Sequence, residues 1–502
     1  VRSELARQHE ATGQKGESRR FRRLALLEAY YHGAQYDFLP RAWDEDLDSA
    51  GNAVPFRQRR PSTIRPVPRI VVEIFCRALW GRGRRPKATI PGAGPEANAY
   101  VDDIIAEAKL ARVMADATRR GLRIGTGVVV WRLRDGKLAA DAWDAKCCRP
   151  TFAPGAFPEL ASLDYRFKYT REVEGDDGRV KPVEFWHREV LDAKSWVIYR
   201  DVEVSASSAP TWVADTALTH EHGLGFCPAI WFIVDERQGD DGTGVYEPYI
   251  GLIDELNYTA SQEGRALYYN LDPQAVLSGV QQSDIGQLKK GGSNTWFLPE
   301  KASAQLLESS GSYIDAAERR QDELKKDIYD AAGVVLPDPE RVKGAQSGAS
   351  LELLAAPQAA RVDELRDDVG DAYIRLLEQI LGALSSPGLA ADKVKINVRD
   401  GDVKRPGATG RIKLTWGAHF PRTPTDATAA ADTVVKATSA GVLSRAAGAR
   451  YLAPFVGVED VEADQAEVEA DQGREDARLE RMEKARASCV DLPPGPPEPE
   501  ES

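Results

Sequence analysis

The sequence predicts an α+β, multidomain fold, and three observations carry that expectation. Two long stretches repeat apolar residues at helical spacing on either side of a compact insertion with strand character. Short alternating segments bounded by Gly, Pro and Asp lie before and after them. A length of 502 residues also exceeds what one ordinary core holds, so several domains are expected.

Taken in order, residues 20–31 place Phe21, Leu24, Leu27 and Tyr31 three or four apart, with Gly33 as a stop, and predict a first helix. Residues 44–65 are polar and turn-rich and read as a surface excursion. Helices are expected at 67–79 and 98–126. The run 127–134, the turn Asp135-Gly136 and the run 137–143 predict a hairpin. Further strands are expected at 164–169, 181–189 and 195–199, giving an α+β body up to about residue 240. From Tyr246, the residues Tyr249, Leu252, Ile253, Leu256, Ala260 and Leu267 keep helical spacing for roughly 20 residues, or about 30 Å. Asp272-Pro273 stops that helix. A strand at Ala275-Val-Leu, glycine turns and Thr295-Trp-Phe-Leu298 follow. A return helix over 313–332 has Ile314, Ala317, Leu324 and Ile328 as its stripe. Together these segments describe a stalk with a knob at its end. A third long helix is expected at 350–384, with Pro357 as a kink point. Beyond it come strands at 394–398 and 412–416, a helix capped by Thr425-Asp426 and a short helix ending at Tyr451.

Composition excludes several classes. No run of about 18 uncharged apolar residues occurs, so no membrane span is expected, and the first residues lack the apolar core of a signal peptide. Five scattered cysteines form neither a disulfide framework nor a CxxC pair. His220 and His222 lie two apart with no matching Cys or His group nearby, so no metal site and no cofactor are expected. His187, His220 and His222 are the best catalytic candidates, and none forms a nucleophile–base pair with a neighbour in sequence. No Gly-x-x-x-x-Gly-Lys-Ser/Thr loop occurs, which leaves an ATP-hydrolysing reading unsupported. Net charge is −12, yet residues 456–502 carry 15 acidic and 5 basic groups and hold most of it. That Pro-rich acidic tail is expected to be disordered beyond Met482. The body is near neutral, which suits a protein that lets a polyanion slide rather than gripping it. The Arg82–Lys87 cluster has two readings, a contact to DNA or protein and a solvated surface.

One ordered set of motifs is more specific than any single one. It runs Tyr30-Tyr31-His32-Gly33, Gly223-Leu-Gly-Phe-Cys-Pro228, Gly242-Thr-Gly-Val-Tyr-Glu-Pro, Leu252-Ile-Asp254-Glu255-Leu-Asn257, Asp272-Pro273 and Gln346-Ser-Gly348. Thr415-Trp416, Pro424-Thr-Asp426, Gly441-Val-Leu-Ser444 and Val458-Glu-Asp-Val-Glu462 complete it. This succession resembles the portal protein of tailed bacteriophages, the ring subunit with crown, wing, stem and clip. Two departures are the 44–65 excursion and Ile64-Arg65-Pro66-Val67, where the family carries a lysine or asparagine ahead of the second wing helix.

The resemblance implies a portal fold of wing, helical stem, small α/β clip and mainly helical crown, assembled as a ring. It assigns residues 1–240 to an arm and wing, 241–270 and 311–333 to stem helices, and 271–310 to the clip. Residues 334–349 become a tunnel loop, 350–384 a wing or tunnel helix, 385–423 wing strands, 424–470 the crown and 471–502 the tail. Stem residues are Leu252, Asp254, Glu255, Asn257, Leu324 and Ile328. Lys289, Lys290, Trp296 and Phe297 fall in the clip and are expected to dock partners or to pack between clips. Pro337, Arg341, Lys343, Gly344 and Gly348 fall in the tunnel loop, with Arg341 and Lys343 facing DNA or pairing with Asp338 and Glu340. The implied partners are eleven further copies in a twelve-fold ring (thirteen-fold in isolation) and double-stranded DNA read without sequence. The large terminase subunit, a head-completion or adaptor protein, and the major capsid and scaffolding proteins complete the set. The implied location is the portal vertex of the virion, and the host cytoplasm during assembly. A portal-like protein of a degenerate prophage or gene-transfer particle, or another minor capsid protein, is the alternative; an enzyme is the third.

Overall fold

The structure, a computed structural model, describes residues 19–92, 94–134, 137–155, 159–174, 179–205, 210–271, 274–279, 301, 303–307, 312–336, 352–385, 412–419, 424–456 and 461–490. The chain divides into two compact units, residues 1–336 with 355–419, and residues 337–354 with 420–502.

In the first unit, helices α1 (Arg19–His32) and α2 (Val67–Trp80) bury one apolar stripe each, including Leu24, Leu27, Val71, Phe75 and Leu79. The short strand β1 (Lys87–Thr89) follows. The single helix expected at 98–126 is two, α3 (Pro95–Glu107) and α4 (Leu110–Ile124), broken at Lys109, whose φ is 52°. The left-handed residue redirects the chain so that Val101 and Ile104 on one helix and Met114 and Leu122 on the other all reach the same core.

Strands β2 (Thr126–Arg134) and β3 (Lys137–Trp143) pair antiparallel as expected. The six-stranded sheet contains β4 (Cys148–Phe152), β5 (Leu160–Glu174), β6 (Val180–Leu191), β7 (Ser195–Ile198), β8 (Val202–Glu203) and β9 (His220–Glu221). Both β5 and β6 outrun the expected strands, because their mutual register continues to Glu174↔Val180 through charged residues on both faces. No buried face marks that stretch in the sequence. Strand β10 (Ala229–Ile233) joins β2 and forms an edge of the three-stranded sheet. The short pair β11 (Arg237–Gln238) and β12 (Asp241–Gly242) leads out of it.

Helix α5 (Ile250–Leu271) then leaves the body, and α6 (Ser312–Ala331) returns. Between them β13 (Gln274–Ser278) pairs antiparallel with β14 (Ser303–Leu307). The Ser-Ala-Gln-Leu-Leu of β14 lacks β-branched residues, and cross-strand pairing rather than propensity makes it a strand. The strand expected at 295–298 lies outside the described residues, as does that at 394–398. Residues 352–354 are helical, and after a turn at 355, beside the expected kink point, helix α7 (Ala356–Ser385) runs on with Pro357 in its first turn, where a missing N–H costs little. It buries Leu365, Val369, Tyr373, Leu376 and Ile380. Trp80 meets Tyr373 and Trp416 edge-on at 5.7 and 5.9 Å, joining α2, α7 and β15 (Lys413–Thr415), which pairs with β1.

The second unit contains α8 (Pro424–Ser439), α9 (Arg445–Val456) and α10 (Val461–Val490). Gly448 lets α8 approach α9, since a Cβ there would meet Val434 at 2.7 Å. Ser444 caps α9 through its hydroxyl and the Ala447 N–H, at 3.1 Å. The chain is helical past Met482 to Val490, where the sequence led us to expect disorder. Ala, Glu and Arg are strong helix formers, and pairs such as Asp471–Arg474 support a helix that buries little.

Glycines decide one crossing in the first unit. Gly125 has a φ of 85°, and a Cβ on it would lie 2.1 Å from the Gly242 carbonyl carbon. A Cβ on Gly244 would lie 2.3 Å from the Arg123 carbonyl oxygen. The Gly-Thr-Gly segment thus touches the end of α4 backbone to backbone. Gly125→Ala is expected to cost about 2–5 kcal/mol in urea unfolding. Gly251→Ala, with nothing within 4 Å, is expected to be neutral or to gain up to about 1 kcal/mol.

The root of the helical hairpin as candidate functional site

The α5–α6 hairpin has a buried root and an exposed end. Tyr249 donates to the Ala331 carbonyl at 2.6 Å, Gln321 bonds Glu263, and Asn270 bonds Tyr313. These contacts fix an antiparallel pair about 30 Å long. At the root, Ile253, Leu256, Leu324 and Ile328 are fully buried, and Leu252 packs against the same cluster. At the far end the cover is lost. Tyr268 is 68% exposed and Leu271 85%, and Leu267, Tyr269 and Val276 are exposed beside them.

The inner face of α5 is polar where it enters the body. Asp254, Asn257 and Ser261 recur three and four apart, and all three are buried. Tyr30 and Tyr36 donate to one Asp254 oxygen at 2.8 and 2.7 Å. Burial, with the Asp254 carboxylate beside it, pushes the Tyr36 hydroxyl well above its usual range, so it stays a donor. Asn257 donates to Tyr36 at 3.0 Å and accepts from the Arg65 backbone at 2.8 Å. Arg65 also reaches Gln321 on α6 at 3.1 Å, so one residue ties both helices. Glu255 points to solvent.

Residues 44–65 lie mostly at the surface, as the sequence suggests, and a few of them anchor the segment. They form a strap along α5. Just ahead of them, Trp43 donates to the Ser261 carbonyl at 2.9 Å and packs between Phe56 and Tyr258. Tyr258 bonds the Arg59 carbonyl at 3.1 Å, and Thr63 donates to the Ser261 hydroxyl at 3.0 Å. Arg59 is buried and bonds Val54 and Asp46. Most of the segment's polar side chains stay exposed, while Arg59 and the Thr63 backbone are committed to internal bonds.

A second clasp fixes the segment leading into α5. Arg20 makes a bidentate bond to Asp241 at 2.7 and 2.9 Å and donates to the Ala145 and Cys148 carbonyls. Arg23 does the same to Glu247 at 2.8 and 2.6 Å and reaches the Gly242 carbonyl. Arg20, Arg23, Trp43, Tyr36 and Ser261 were missed as site residues. The polar i, i+3, i+7 series on an otherwise apolar helix was the available signal.

The clip residues Lys289, Lys290, Trp296 and Phe297 and the loop residues Pro337, Arg341, Lys343, Gly344 and Gly348 lie outside the described residues. Among the described residues no group of His, Cys, Asp and Glu could hold a metal, and no helix is long and apolar enough to cross a membrane. A cavity of about 770 Å³ between β10 and α7 is walled by Trp231, Arg237, Asp371 and Arg375; burial pushes its thiol, Cys227, up to about 12.

Such a site holds the root of the hairpin through buried hydrogen bonds and ion pairs. The family described as phage portal protein, SPP1 Gp6-like, matches residues 187–477, more than half of the chain, and the chain belongs to that family. Its mixed α/β fold is a portal-family fold, and its role is the structural, connector-ring role of that family. No curated protein matches it in sequence. Solved chains resemble it in structure, two of them from gene transfer agent particles. One, from the "neck of empty GTA particle computed with C6 symmetry", has 14% identity and a TM-score of 0.41, over 77% of this chain and 90% of that one. The other, from the "virion of native gene transfer agent (GTA) particle", has 11% identity and a TM-score of 0.35, over 88% and 96%. At these TM-scores neither likeness reaches a shared detailed architecture.

Asp254→Ala is expected to remove the acceptor shared by two buried tyrosine hydroxyls and to lower the urea-unfolding free energy by about 3 kcal/mol. Glu255→Ala, one residue on and exposed, is expected to change it by less than about 0.5 kcal/mol.

Proposed function

We propose that the chain is the subunit of a twelve-fold portal ring through which double-stranded DNA enters and leaves a capsid. One observation carries this reading: a rigidly rooted hairpin whose outer half leaves Tyr268, Leu271 and their neighbours uncovered. A ring covers such a surface by docking it on a different face of the next copy, and the rotation closes.

In this reading α5 and α6 are the stem around the axis and residues 271–310 are the clip. Residues 1–240 and 385–423 are wing, 350–384 the wing or tunnel helix, and 424–470 the crown. Lys289, Lys290, Trp296 and Phe297 present the clip to the large terminase subunit and later to a head-completion or adaptor protein. The major capsid and scaffolding proteins surround the wing, and the ring occupies the portal vertex of the virion after assembly in the host cytoplasm. Residues 334–349 form the loop at the narrowest part of the channel. Arg341 and Lys343 meet phosphates there, and such contacts read no bases.

The same ring would serve a tailed phage or a gene-transfer particle, the source of the two solved chains described above. The DNA inside purified particles separates the two: one repeated genome identifies a phage, and mixed host fragments identify a gene-transfer particle.

Mass photometry of the purified chain at micromolar concentration is expected to give one species near twelve or thirteen copies. A monodisperse monomer or dimer overturns the proposal. Arg341→Ala with Lys343→Ala is expected to alter packaging speed or DNA retention without changing sequence preference. Equal packaging rates and equal retention in mutant and parent particles remove those two side chains from the channel.

A further inference from the structure

Strands β5 and β6 run on as a two-stranded ribbon past their neighbours in the six-stranded sheet. β4 accompanies β5 at residues 160–165, and β7 accompanies β6 at residues 189–191. Between these points the outer edge of β6 is covered by the segment 199–204, whose strand β8 has two residues. Its other backbone bonds are Tyr199 to Arg188 at 3.0 Å and Val204 to Glu184 at 2.9 Å.

His187 joins this cover to the ribbon. Its Nδ1 lies 2.8 Å from an Asp201 oxygen and its Nε2 lies 2.9 Å from a Glu189 oxygen. Carboxylates only accept, so a neutral imidazole with one N–H satisfies one of the two, and the imidazolium satisfies both. Asp201 also accepts from the Tyr169 hydroxyl on β5, and Glu189 accepts from the Trp196 indole on β7 at 2.6 Å. Phe167 packs against the imidazole at 5.0 Å. The other charges facing the cluster are Arg171, which acts on Asp201, and Arg132 and His220, both against the Trp196 ring.

We propose that His187 is a proton-operated clamp that holds residues 199–204 over the edge of β6. The hydrogen bond to Glu189 raises the His187 pKa most; burial works against it, and the bond to Asp201 adds to it. Burial raises the Asp201 pKa, but the bonds from Tyr169 and His187 carry it below its usual value. The clamp's contribution is therefore complete below pH about 6.5, the unfolded histidine value, and fades as pH rises through the raised folded value. On the acid side it is lost as pH falls through the depressed Asp201 pKa. Release frees the backbone groups of β6 at residues 184–188.

Hydrogen exchange followed by mass spectrometry on the full chain at pH 6 and pH 9, corrected for intrinsic rates, tests the clamp. Protection of residues 199–204 in the parent is expected to fall roughly threefold or more at pH 9. His187→Gln, which carries no charge, is expected to show the low protection at both values, and Asp201→Asn likewise. Equal protection of the parent at the two values overturns the proposal. So does a pH dependence that survives in either variant.

Discussion

Asp254 sits on a helix, only 4% exposed as a residue, and two tyrosine hydroxyls from the chain's first fifty residues close on one of its oxygens. Sliding α5 by one turn, about 5.4 Å, would remove both donors and leave a charge buried among apolar groups. A packing seam of leucines alone tolerates small shifts; this carboxylate does not. The hairpin's position relative to the α+β body of its own unit therefore depends on that bond set. The strap, Arg65 and the hairpin's own core are arranged around it.

Two further constraints keep the root from rotating. Gly125 and the Gly-Thr-Gly segment meet backbone to backbone, which sets where the chain enters α5. Arg20 and Arg23, one turn apart on α1, each fork onto a carboxylate in that segment. These ion pairs are mostly buried, so salt screens them less than surface pairs. The exposed apolar end of the hairpin is the converse. Nothing among the described residues of the first unit covers Leu271, and a closed ring of copies gives it a partner without an open chain of contacts.

Much of the architecture was legible. The 3.6-residue period showed α1, α2, α5, α6 and α7, and the Asp135-Gly136 turn showed the β2–β3 hairpin. Features set by tertiary context were not. The break at Lys109 follows from where the core lies, β14 exists through its partner, and the β5–β6 ribbon has no buried face to give a period. At the root, Asp254 and Asn257 were visible as motif residues, and Tyr30 only as part of Tyr30-Tyr31-His32-Gly33, with nothing to tie it to Asp254. Residues 44–65 are the surface segment their polarity suggests, but nothing in that polarity marked Arg59 and the Thr63 backbone as its internal anchors. The helix to Val490 was hidden for the opposite reason, since local propensity sustains it with little burial.

The most direct test of a rigidly rooted hairpin completed by its neighbours is a cryo-EM map of the assembled protein at side-chain detail. The account predicts Asp254 still bonded to Tyr30 and Tyr36 in every subunit, with Tyr268 and Leu271 buried against the next copy. A ring in which Tyr268 and Leu271 stay in solvent, or in which α5 has shifted off the two tyrosines, would contradict it.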